Sequence, residues 1–207
     1  MKSATLATLL SCFLSCFALT NLASASSTVD FSNGGGTLSG TTAGLTLSGS
    51  TLIAVVGLNG GGTVTGDLGT FSLSTGALAS GSLKMGGTFA AGGMVTISGN
   101  GTNGIPNGVL FSGTFSAPIS WTLTTLGNGT HSYTLTGVLT GMLGTTSVNA
   151  VTVQMTANTG LGFFTGSTTI SGGDTTIASV PEPSTLALFA TGGLSLLGMV
   201  RRKLSAR

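Results

Sequence analysis

The chain has 207 residues, of which 5% are charged and 36 are glycine, against roughly 25% charged and 7% glycine in an average soluble protein. Between Ser26 and Val180 one lysine, Lys84, stands against Asp30, Asp67 and Asp174, which leaves that stretch at −2 although the whole chain carries +2. Nucleic-acid binding needs clustered Lys and Arg to displace phosphate counterions and is excluded; both cysteines, Cys12 and Cys16, fall in the leader, so disulfides, thiolate zinc sites and cysteine nucleophiles drop out of the processed chain.

Residues 1–25 read as a signal peptide. Lys2 supplies the positive start, an uncharged apolar stretch runs from about Ala4 to Leu19, and Ala23-Ser24-Ala25 closes it. Signal peptidase selects small side chains one and three residues before its cut, which makes Ala23 and Ala25 the cleavage determinants. The rival processing route is lipid attachment, because Leu14-Ser15-Cys16 loosely resembles a lipoprotein box, but the Ala-x-Ala site competes well with it.

The next stretch, 26–180, has room for one domain of ordinary size, rich in Gly, Thr and Ser. From Thr37 to Ile177 apolar and polar residues alternate in short runs. Period-two alternation with β-branched residues is the signature of a strand with one buried and one wet face. In chain order it predicts strands at Leu45–Leu47, Leu52–Leu58, Phe71–Leu73, Met94–Ser98 and Val109–Phe115. Ile119, Trp121 and Leu123 continue the pattern, then Tyr133, Leu135 and Leu139, then Val151, Val153 and Met155, and finally Gly162–Ile170.

No amphipathic helix period occurs between the two ends. Short strands divided by Gly-rich turns predict an all-β domain, an antiparallel β-sandwich, with a β-barrel or a β-solenoid as alternatives. The solenoid is disfavoured because Thr63-Val64-Thr65, Thr122-Leu123-Thr124 and Thr134-Leu135-Thr136 recur at unequal distances.

Little in this domain is equipped for catalysis. His131, the only histidine, follows the turn Gly127-Asn128-Gly129-Thr130 and reads as a surface imidazole. There is no Gly-x-Ser-x-Gly elbow, and Asp30, Asp67 and Asp174 have no acidic neighbours in sequence to form a glycosidase pair. Ser171-Gly172-Gly173-Asp174 faintly resembles one element of a calcium-binding β-roll but has none of its repeats, so no metal and no cofactor is assigned. Gly99-Asn100-Gly101-Thr102-Asn103-Gly104 spells the dinucleotide fingerprint, but a strand and not a helix follows it. Asn100 and Asn128 open Asn-Gly-Thr sequons that read as turn chemistry. Trp121 and Tyr133 could stack on a sugar ring, but their alternation with Thr favours the core.

The tail, 181–207, has three parts. Pro181-Glu182-Pro183 makes an extended, accessible element, since prolines on both sides of Glu182 keep it out of helix and sheet. Ser184–Val200 follows without a charge, 17 residues that reach about 25 Å as a helix, the lower edge of spanning length. Arg201-Arg202-Lys203 closes the tail and resists translocation, which predicts a cytoplasmic C-terminus and an outward domain.

This order, Pro-Glu-Pro, apolar segment, basic cluster, resembles the PEP-CTERM sorting signal of Gram-negative bacteria over about the last 28 residues. The resemblance implies recognition by a membrane-embedded exosortase, removal of the tail, and release or attachment at the outer surface, often beside exopolysaccharide in biofilm-forming species. It does not extend to the domain.

The expectation is therefore an exported, non-catalytic surface or matrix protein, held at the inner membrane as a precursor and delivered to the cell surface or beyond. Its partners are signal peptidase, an exosortase-like enzyme and extracellular polysaccharide, with no nucleic acid. A carbohydrate- or ice-binding module is the alternative, and a secreted hydrolase the third reading.

Overall fold

The computed structural model describes residues 28–178. They form thirteen antiparallel strands in one sheet. In chain order these are β1 (Thr28–Gly34), β2 (Thr37–Thr41), β3 (Gly44–Val56), β4 (Thr63–Ser74), β5 (Leu78–Ser82), β6 (Gly86–Phe89) and β7 (Met94–Asn100). Then come β8 (Asn107–Phe115), β9 (Ile119–Thr125), β10 (His131–Leu143), β11 (Thr146–Gly160), β12 (Ser167–Thr169) and β13 (Gly172–Ala178). The one helical element among the described residues is a single 3-10 turn, Leu58–Gly60.

The order β11-β13-β1-β3-β4-β7-β8-β10 closes on itself because β10 also pairs with β11. The domain is thus an eight-stranded barrel, the alternative in the sequence reading, and not the two-sheet sandwich placed first. The reason lies in strand length. At 13 and 15 residues, β10 and β11 are long enough to complete the ring and still carry additions.

Two flaps extend from the barrel where a long strand changes partner. The later half of β10 (Leu139–Leu143) pairs with β8 inside the barrel, while its earlier half (His131–Thr136) pairs with β9, which leads on to β6 and β5. In the same way β3 pairs with β1 through Thr51–Val56 and with β2 through Gly44–Ser48, and β12 adds to β2.

An eight-stranded barrel has an interior just wide enough to be filled by side chains. Here Phe31, Leu52, Phe71, Ile97, Phe111, Leu139, Val153 and Ile177 fill it, each 3% exposed or less. Burying each such side chain contributes about 1.5–3 kcal/mol, and the outward positions between them are mostly Thr and Ser. That arrangement reverses the apolar-out pattern of a membrane barrel. Among the described residues no helix is long and apolar enough to cross a membrane.

Strands pack closely where glycine allows it. Gly69 has φ +146, and a Cβ there would run into the Ser98 carbonyl of the neighbouring β7, so the β4–β7 contact depends on the missing side chain.

Several strand boundaries differ from the sequence reading. Leu45–Leu47 and part of Leu52–Leu58 belong to the single strand β3, which absorbs Gly49 (φ +69) in an irregularity between Leu47 and Ser50 and ends before Gly57. The predicted strand Gly162–Ile170 shrinks to Ser167–Thr169, and Phe163 and Phe164, which lie before it outside any strand, stack on His131 and pack edge-on against Trp121, respectively. β1, β2, β5, β6 and β13 have no counterpart among the predicted strands.

Candidate functional site

The chain has one Trp, one Tyr and one His, residues 28–178 have one Lys, and these four chemically distinctive residues meet at one place. β9 and β10 pair with Trp121 opposite Leu135 and Tyr133 opposite Leu123, which makes the two rings diagonal neighbours on the buried face. They stack at 4.9 Å with 16° between planes, and Phe164 packs edge-on against both at 5.6 and 6.0 Å. Trp121 is 1% exposed and Tyr133 0%, so both are core residues that cannot lie against a ligand.

Their polar atoms hold the walls of a cleft. Trp121 Nε1 donates to the Leu83 carbonyl at 2.9 Å, and Tyr133 Oη donates to the adjacent Lys84 carbonyl at 2.6 Å. On the other side the Phe164 amide donates to Tyr133 Oη at 3.0 Å. Two backbone bonds, Gly40 N to Gly166 O at 2.8 Å and Leu78 N to Thr42 O at 2.9 Å, tie the two flaps and the β11–β12 loop together. Between them lies an open cleft of about 380 Å³, within the size range of small-molecule sites. Leu78, Leu83 and Phe164 give it an apolar lining, Thr42, Ser82 and Thr165 bring hydroxyls, and Lys84 stands in its wall.

Lys84 Nζ sits 4.6 Å from the centroid of the Phe163 ring, and His131 stacks on the same ring at 4.1 Å, so one ring contacts both the cation and the imidazole. His131 is 8% exposed, which corrects the expectation of a surface imidazole. The stack on Phe163, 32 residues further along the chain, is what buries it. Its Nδ1 lies 3.1 Å from Thr125 Oγ1. A hydroxyl beside an imidazole can exchange a proton, but activating a nucleophile also needs a group that orients the base. The three aspartates of the domain are engaged elsewhere.

Asp30 and Asp174, 144 positions apart in sequence, come together on the outer face. The register sets Asp30 opposite Thr176 and Ser32 opposite Asp174, so the two carboxylates are diagonal neighbours. Thr176 Oγ1 donates to Asp30 at 3.1 Å and Ser32 Oγ to Asp174 at 2.7 Å. Asp30 is held above its ordinary value of 3.8, first by desolvation and then by the charge of Asp174. A groove of about 500 Å³ runs beside Asp174, lined also by Gln154 and Thr156 of the adjacent β11 and by Ile53. Asp67 is elsewhere, on β4, where Asn100 and Thr102 donate to its backbone carbonyl at 3.1 and 2.9 Å. Among the described residues no three His, Cys, Asp or Glu side chains form a metal-binding group. The residues Gly99–Gly104 bridge β7 and β8, and in both sequons the Thr amide and hydroxyl bind the Asn side-chain oxygen.

Outside the cleft, the sheet presents polar side chains in register. Ser80, Thr88, Ser120, Thr136, Gln154, Asp174 and Ser32 pair in succession across seven strands. Thr122, Thr134 and Thr156 form a parallel row, and Thr124, Ser132 and Asn158 a third. Rows of this kind are spaced about 4.8 Å between strands and about 7 Å along them.

The processing determinants lie outside the described residues: Ala23 and Ala25 at the leader, Pro181, Glu182 and Pro183, the segment 184–200, and Arg201, Arg202 and Lys203. The comparison with known families settles the tail, matching residues 179–203 to a family model described as the PEP-CTERM protein-sorting motif. The chain carries a PEP-CTERM sorting signal. That motif spans Pro181-Glu182-Pro183 and the basic cluster alike, and it marks an exported protein whose membrane-held precursor is processed by an exosortase. The PEP-CTERM match leaves the barrel uncovered, and no curated protein and no solved structure matches the chain.

Proposed function

We propose that the barrel is a non-catalytic surface module which, once delivered by the PEP-CTERM route, holds to extracellular polysaccharide through its outer face. The observation that carries this reading is the registered array of hydroxyl and amide side chains across β9, β10 and β11 and on to β1. Such groups both donate and accept hydrogen bonds, as sugar hydroxyls do, and with few charges among them they suit a hydrated polymer. The single imidazole supports the non-catalytic part, since its ring partners are Thr125 and Phe163 and not a carboxylate.

Ice binding, which would use the same hydroxyls, is less well supported. Neighbouring strands rotate by about 20–25°, so a barrel face curves away from any flat lattice within a few strands.

Electrophoresis through gels containing the matrix polysaccharide of the producing organism tests the reading. The wild-type protein is expected to be retarded, and the triple variant Thr122→Val, Thr134→Val, Thr156→Val to run as in a blank gel. Unretarded wild-type protein overturns the proposal.

A further inference from the structure

We infer that the cleft between the two flaps is a subsite for a carboxylated sugar, a hexuronate carried on an acidic polysaccharide, with Lys84 pairing its carboxylate. This deepens the polysaccharide-contact reading and rests on it. Three observations lead there.

The cleft is built in advance. Its opposite walls, the Leu83–Lys84 turn and Phe164, are joined through the one hydroxyl of Tyr133, and Trp121 fixes Leu83. Both rings are fully packed, so the walls do not have to be ordered when a ligand arrives, which removes part of the entropic cost of binding.

The charge is placed where it is rare. Lys84 is the only cation of residues 28–178, it is exposed, and its ammonium is positioned by the Phe163 ring at 4.6 Å. A cation already held over an aromatic face loses less side-chain entropy when it meets a carboxylate. Asp30 and Asp174 lie on β1 and β13, with β9, β10 and β11 between β13 and the β5–β6 hairpin whose turn carries Lys84.

The remaining lining suits a pyranose. Leu78 and Leu83 offer apolar surface for C–H groups, while Thr42, Ser82 and Thr165 offer hydroxyls for ring substituents. The Ser82 oxygen already accepts from the Met85 amide at 2.9 Å, which leaves its proton to donate.

Calorimetric titration of the full-length chain in detergent with a short oligogalacturonide, and with a neutral cello-oligosaccharide of equal length, tests the inference. The acidic probe is expected to bind more tightly. Lys84→Met should weaken it about tenfold or more, the loss of a charge-assisted bond, and Lys84→Arg should restore it. Because Tyr133 bonds the backbone carbonyl of Lys84, these substitutions leave the wall in place. Thr165→Trp, which fills the cleft from its open side, should abolish binding. Equal binding of both probes, or an unchanged Lys84→Met variant, overturns the subsite while retardation by the matrix polysaccharide keeps the broader reading. If Asp67→Asn raises affinity as much as Lys84→Met lowers it, net charge and not the cleft is responsible and the inference fails. Wild-type protein that binds neither probe and runs unretarded through matrix polysaccharide removes both.

Discussion

Tyr133 Oη and Lys84 O are joined by a 2.6 Å hydrogen bond across 49 positions of sequence, and the same hydroxyl accepts from the Phe164 amide at 3.0 Å. One buried atom therefore holds the β5–β6 turn and the β11–β12 loop at once. Tyr133→Phe keeps the ring stack with Trp121 but leaves a buried amide without its acceptor and a carbonyl without its donor. A loss of about 1–3 kcal/mol is expected, seen in a urea titration as a lower midpoint with unchanged slope. A midpoint equal to wild type would mean that water replaces the hydroxyl without penalty.

His131→Ala is expected to destabilise the domain without removing a function. The ring it deletes stacks on Phe163 at 4.1 Å, and losing an aromatic contact costs about 0.5–1.5 kcal/mol beyond the buried area. Thermal unfolding should show a fall of a few degrees, on the order of 2–4 °C per kcal/mol for a domain of this size. Retardation in polysaccharide gels should stay as in wild type. A loss of hydrolytic activity in a variant that remains folded would reinstate the enzyme reading.

Acid should relieve a penalty at Asp30. Its carboxyl is raised above 3.8 in the folded protein by desolvation and by Asp174, so the native state binds the proton more tightly than the unfolded chain does. Stability from this group is therefore fully present below the unfolded value, falls as pH rises through the window between the unfolded and folded values, and is lost above it. Asp30→Asn should accordingly be more stable than wild type at neutral pH, with the difference closing as pH falls through that window and gone below 3.8. Asp174→Asn should move the Asp30 titration, followed by carboxyl NMR, downward. An upward or unmoved titration contradicts the diagonal pairing.

Alternation alone made the all-β class and most of the barrel strands legible, because one buried face per strand writes itself into the sequence as a period of two. Trp121 and Tyr133 read correctly as core for that reason. Closure did not show. Whether strands form two sheets or one ring is decided by the pairing of β10 with β11 and β1 with β13, and β1 and β13 pair from opposite ends of the domain, a choice of partner that alternation within a strand does not report. The Asp30–Asp174 pairing and the gathering of Lys84, Phe163 and His131 were hidden by the same cause. They depend on register between segments far apart in the chain, and no local pattern encodes it. One signal was available in composition, since the only Trp, Tyr and His of a nearly uncharged chain fall within Trp121–Tyr133.

Glu182 and the basic cluster of the PEP-CTERM signal should have duties that mutation can separate. Glu182 lies between Pro181 and Pro183, and flanking prolines disfavour helix and sheet pairing, the basis for expecting an enzyme to read this site. Arg201, Arg202 and Lys203 follow an uncharged segment only marginally long enough to span a bilayer, and their charge opposes its complete translocation. Changing Pro181-Glu182-Pro183 to alanines is expected to leave the precursor membrane-bound with its tail uncut, since insertion does not depend on those three residues. Neutralising the three basic residues is expected to impair retention, so that uncut precursor escapes. Blotting membrane and released fractions for an epitope placed after Ala25 separates the two outcomes by size and by location. If the alanine variant is still shortened to the wild-type length, the cutting enzyme does not read Pro-Glu-Pro, and the basic cluster or the apolar segment must carry recognition instead.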